Sequence, residues 1–74
     1  MSESNENTHT IGVSYDLYLD VLKLTLEMGE MSSPTIQRNF HVPFNISITI
    51  MDLLQLNGIV ETEIASSGRY KVKI

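Results

Sequence analysis

Residues 32–60 constrain this chain most: they read S-S-P-T-I-Q-R-N-F-H-V-P-F-N-I-S-I-T-I-M-D-L-L-Q-L-N-G-I-V. The run predicts a short helix, a tight corner, a longer helix and the entry to a strand. Ser32 or Ser33 can cap the first of these helices by accepting a backbone N–H, and Pro34 then falls in the first turn, where its missing donor costs nothing. His41-Val42-Pro43 breaks the run, because a residue before proline is pushed out of the helical region. Helix resumes at Phe44 or Asn45 and ends at Asn57-Gly58, a pair suited to a left-handed C-terminal cap. Two helices joined by such a corner make a helix-turn-helix, whose second helix usually reads a DNA groove.

The flanks complete a mainly α fold with a β-hairpin. Ser14 to about Met28 reads as another helix, with Ser14 as cap, Asp16 in the first turn and Gly29 as the stop. Past Gly58, residues 59–64 are β-rich. Residues 65–68 (A-S-S-G) supply a turn, and residues 69–74 alternate with Tyr70, Val72 and Ile74 on one side. The expected architecture is a winged helix-turn-helix of three helices plus a two-stranded wing, over residues 14–74. Residues 1–13 are expected to form a disordered tail, polar until Ile11 and too poor in apolar groups to repay ordering. Ile11-Gly12-Val13 either adds a short strand or leads into the helix.

With this pattern in hand, a family resemblance becomes visible. Leu17-Tyr18, Ile36-Gln37-Arg38-Asn39-Phe40, Phe44-Asn45 and Gly58-Ile59-Val60 together resemble the gamma domain of FtsK/SpoIIIE DNA translocases. In that family a leucine-tyrosine pair opens the first helix, V-Q-R-x-F fills the second, Y-N opens the recognition helix and G-I-V starts the wing. The resemblance covers about residues 15–64 without a gap. It implies double-stranded DNA as partner and base-reading positions that here hold Asn45, Thr49 and Asp52. Asparagine pairs well with adenine and a carboxylate accepts from cytosine. The family's central arginine, a guanine reader, is replaced by Thr49, and a second basic position holds Ile46, so the family's G-rich target is not carried over. Gamma domains also contact a recombinase, so the resemblance admits a protein partner too.

Towards the DNA backbone, the candidates are Ser33 and Arg38 on the short helix and Arg69 and Lys71 on the wing. Each also has an ordinary structural role to fill: Arg38 can pair with an acid on the first helix, and Lys71 and Lys73 can pair across the hairpin with Glu61 and Glu63. The net charge of −4 opposes nonspecific nucleic-acid binding. Its placement softens the objection, because residues 1–31 carry −5, residues 32–57 carry 0 and residues 58–74 carry +1.

A second reading is a protein-interaction module, either a homodimer or a small regulator or inhibitor docked on another protein. In the longer helix, Phe44, Ile48, Met51 and Leu54 or Gln55 follow helical spacing as a buried stripe, with Ser47 and Ile50 beside it. That leaves Ile46, Leu53 and Leu56 outward as an apolar stripe of the kind that marks a contact surface. On the first helix, Leu17 and Leu24 are left over once Tyr18, Val21, Leu22, Thr25 and Met28 face the core.

Several classes fall away. Seventy-four residues without cysteine make one small domain, with neither disulfides nor thiolate metal sites to brace it. His9 lies in the tail and His41 in the corner, with no partners at ligand spacing. No nucleophile motif or phosphate-cradling glycine loop is present, so no enzyme, cofactor or small-molecule ligand is expected. No run approaches a membrane span and no signal pattern opens the chain, so a soluble cytoplasmic protein is expected. Free-standing phage- or plasmid-type regulator and fragment of a larger protein both remain open readings.

Overall fold

A computed structural model describes residues 13–74. Their elements run α1 (Tyr15–Met28), β1 (Glu30–Met31), α2 (Ser33–Phe40), α3 (Phe44–Leu56) and β2 (Tyr70–Lys71). The expected tail lies outside the described residues except for Val13, which is 5% exposed and part of the core.

Each helix end has an identifiable chemical cause. The Ser14 hydroxyl accepts the Leu17 N–H at 3.1 Å, and Gly29 closes α1 at φ 79° while donating to the Thr25 carbonyl. Ser32, not Ser33, caps α2: its Oγ accepts the Thr35 N–H and lies 2.8 Å from the Thr35 hydroxyl. That helix stops at His41, which sits in the left-handed region at φ 56° and donates to the Gln37 carbonyl. The break therefore comes one residue before the position that proline sterics dictate. Pro43 opens α3 with no side-chain cap. At the other end, the Gly58 N–H bonds the Gln55 carbonyl and the Ile59 N–H bonds the Leu54 carbonyl. This is a Schellman motif, and Gly58 at φ 74° is the left-handed residue it requires.

The core is built from Val13, Val21, Met31, Ile36, Ile50, Met51, Leu54 and Val60. Thr25, Ser32, Thr35 and Ser47 are buried with it, and no buried side-chain polar atom among the described residues lacks a partner. Thr25 returns its hydroxyl to the Val21 carbonyl and Ser47 to the Phe44 carbonyl. These local bonds remove the cost of placing polar groups among apolar ones.

The face that α3 buries differs from the expected one. Ser47, Ile50, Met51 and Leu54 are buried, whereas Phe44 is 58% and Ile48 38% exposed. Both stripes have helical spacing, because α3 is apolar on most sides, so periodicity alone does not choose between them. Packing of α3 against α2 chooses the stripe with small Ser47 at its start.

β1 pairs antiparallel with β2, placing Glu30 opposite Lys71 and Met31 opposite Tyr70. On the other side of the last strand Val60 bridges Val72, with the Glu61 N–H donating to the Lys71 carbonyl and the Lys73 N–H to the Ile59 carbonyl. The C-terminal strand thus lies between two neighbours. The wing turn closes through Gly68 N–H to the Ala65 carbonyl. Tyr70, Val72, Met31 and Val60 line the side towards the core, and the charged residues take the other side.

Candidate nucleic-acid interface

Helix α3 presents a continuous outward face. At 100° per residue, Asn45, Ile48, Thr49, Asp52 and Leu56 fall within an arc of about 100°, roughly opposite the buried stripe, with Phe44 at its edge. Asn45 and Asp52 are exposed, and Thr49 is half-buried. The Thr49 hydroxyl donates to the Asn45 carbonyl at 3.0 Å, which leaves its methyl and its acceptor lone pairs for a partner. The Asn45 amide and Asp52 carboxylate make no bond among the described residues. All three expected base-reading residues therefore share one uncovered surface.

The expected apolar stripe does not form as drawn. Leu56 is 81% exposed, but Ile46 and Leu53 are half-buried and pack on the core. Leu17 and Leu24 also pack on the core and do not form a free face on α1. The reason is the rotation of α3 and the breadth of a small core, which takes apolar groups from more than one side of each helix. The residues that the sequence reading missed are Phe44 and Ile48, which point outward beside Asn45. Only their position on the first turn and the i+4 spacing from 44 to 48 to 52 hinted at this.

Among the candidates for the DNA backbone, Ser33 is half-buried in the first turn of α2 and Arg38 is exposed in its last turn. Arg38 makes no ion pair with an α1 acid among the described residues. Arg69 is different: its Nη1 lies 3.2 Å from Glu30 Oε2, and the Ser67 hydroxyl donates to the other Glu30 oxygen at 3.2 Å. Arg69 thus fastens the wing to β1 and is not a free cation, because the register that sets Glu30 opposite Lys71 leaves Arg69 two residues away on the same side. Lys71 is exposed between Glu30 on one strand and Glu61 on the other, with no ion pair to Glu61 among the described residues. Lys73 is exposed one period beyond and joins the set.

No group of acidic or histidine side chains among the described residues is placed to hold a metal ion. No helix among them is long and apolar enough to cross a membrane.

Comparison with known proteins agrees with the sequence resemblance. No protein-family model matches the chain, and no solved structure does. Among curated proteins, "DNA translocase FtsK" of Pasteurella multocida (strain Pm70) is 39% identical over 59 residues, which is 80% of this chain and 6% of that protein. The chain therefore spans a small fraction of its relative's length. In a chain of 74 residues, any stretch of 59 includes residues 16–59, so the similarity contains all of α2 and α3. By its residues, its three-helix winged fold and this relative, the chain is similar to the gamma domain of the FtsK family.

Proposed function

We propose that this chain binds duplex DNA by laying α3 in the major groove. Asn45, Thr49 and Asp52 meet base edges, Ser33 and Arg38 face the phosphates beside α2, and Lys71 with Lys73 reaches the backbone from the wing. The observation that carries this reading is that the three base-reading positions of the resembled family share one uncovered helix face. The name of the relative, a DNA translocase, supports the same partner. From Ser32 onward the chain carries +1, so most of the acidity lies ahead of the proposed interface, which itself includes Asp52. With Arg38, Lys71 and Lys73 as the cations assigned to the proposed interface, affinity is modest and falls with salt at a slope of about −2 to −3. The reading involves no catalysis and no cofactor, and it fits a cytoplasmic setting. Fluorescence anisotropy of a labelled random duplex pool at 50 mM salt tests it, and absence of any bound fraction at high micromolar protein would end it.

A second reading, a homodimer or a regulator docked on another protein, draws on Phe44, Ile48 and Leu56. Apolar groups exposed along one helix are a common contact surface. Light scattering separates the two: a monomeric mass at high micromolar concentration, unchanged in Leu56→Lys, argues against the homodimer.

A further inference from the structure

The outward face of α3 also carries information about which bases it accepts. Resting on the DNA reading above, we infer that this chain prefers A·T pairs in the major groove, with Asn45 reading adenine and Ile48 and Thr49 reading thymine methyl groups.

The argument is one of donors and acceptors. Guanine shows two acceptors in the major groove and is read by a long cationic side chain donating twice. Helix α3 contains no lysine or arginine at any of its thirteen positions. The only cation on the preceding helix is Arg38, in its last turn, and Arg69 on the wing is held by Glu30. The outward face instead offers oxygen acceptors at Asn45, Thr49 and Asp52, and the one hydroxyl proton among them is already given to the Asn45 carbonyl. Set against a guanine edge, Thr49 and Asp52 place acceptor against acceptor, and the short Asn45 amide is the one side-chain donor left on that surface.

Adenine and thymine fit the same surface. Adenine presents one donor and one acceptor, which the Asn45 amide matches in a bidentate pair. Thymine presents a carbonyl and a 5-methyl group, and an apolar contact is what recognises the methyl. Ile48 lies one turn beyond Asn45 on the exposed side, and the Thr49 methyl is beside it. Asp52 can accept only from a donor such as the cytosine amino group, which sets a C·G pair at the far end. The seven steps from Asn45 to Asp52 rise about 10 Å, and successive base pairs are about 3.4 Å apart, so the site read is three to four base pairs long.

Selection from a random duplex library at 50 mM salt, followed by titration of the selected duplex, tests this. Enrichment of an A·T run bordered by C·G is expected. Replacing its thymines by uracil, which lacks only the methyl, is expected to weaken binding about threefold per methyl touched. Ile48→Ala, at an exposed position, should keep its helical circular dichroism and lose most of that uracil sensitivity. Asn45→Ala should lose about tenfold in affinity for the selected duplex and little for a scrambled one. Enrichment of guanine runs, or equal affinity for the thymine and uracil duplexes, overturns the inference. A bound pool without base preference overturns the inference and leaves DNA binding standing, whereas no bound pool overturns both.

Discussion

The side-chain amide of Asn57 donates a 2.8 Å hydrogen bond to the hydroxyl of Tyr18, 39 residues earlier in the chain. This bond ties the Schellman end of α3 to the first half of α1, so the angle at which α3 leaves the core is fixed at its far end as well as at Pro43. Both partners also have local reasons to be where they are. Tyr18 packs its ring on the core, and Asn57 caps α3.

Because that bond is solvent-accessible, it contributes the low end of a hydrogen bond's range. Tyr18→Phe and Asn57→Ala should each lower stability by about 0.5–1 kcal/mol. Urea denaturation of the double variant should show no larger loss than the greater single one, since one interaction is removed in either case.

The rotated face of α3 gives a sharper contrast. Leu54→Ala and Ile50→Ala each remove a fully buried side chain and should cost about 2–5 kcal/mol, enough to unfold much of so small a domain. Phe44→Ala and Ile48→Ala should cost less than about 1 kcal/mol. Thermal melts of the four variants check this, and a large loss at Phe44 with a small one at Ile50 would restore the stripe suggested by periodicity.

Backbone conformation sets a third expectation. His41 occupies the left-handed region at φ 56°, where a residue with a Cβ is held at a cost of about 1 kcal/mol or more. His41→Gly should raise stability by about 0.5 kcal/mol, the gain being trimmed by the extra freedom glycine has when unfolded. Gly58→Ala should lower it by about 1 kcal/mol through φ alone, because a Cβ there meets nothing within 4 Å. Urea midpoints of the two variants should move in opposite directions.

The Glu30–Arg69 pair links the wing to the proposed DNA contact. As a half-exposed ion pair it contributes at most about 1 kcal/mol to folding. Glu30→Gln removes a negative charge beside Lys71 and releases Arg69 towards a phosphate. Its affinity for duplex DNA should rise a few-fold, with the salt slope steeper by about one. An affinity unchanged across salt would place the wing away from the DNA.

Most of the fold was legible because its punctuation is local. Ser14, Pro34, Gly29 and Asn57-Gly58 act within a turn of their own position, and the helices end where they predict. The strand Glu30–Met31 was not legible, since two residues show no period and Met31 is buried only because β2 arrives from the far end of the chain. Asn45, Thr49 and Asp52 kept their outward position as the polar residues opposite the buried stripe, whereas Ser47, small enough to return its hydroxyl to the Phe44 carbonyl, is buried. Ile46 and Leu53 did not keep theirs, because which apolar residues an all-round apolar helix buries is settled by its neighbours. The role of Arg69 depended on a cross-strand register that no stretch of sequence displays.

The most direct test of DNA recognition by α3 is a titration of ¹⁵N-labelled protein with duplex DNA, followed by amide chemical shifts. The account predicts that the largest changes fall at Asn45, Ile48, Thr49 and Asp52, with smaller ones at Ser33, Arg38, Lys71 and Lys73. Shifts confined to the exposed side of α1, at Tyr15, Leu19 and Leu26, or no shifts at all at millimolar DNA, would contradict it.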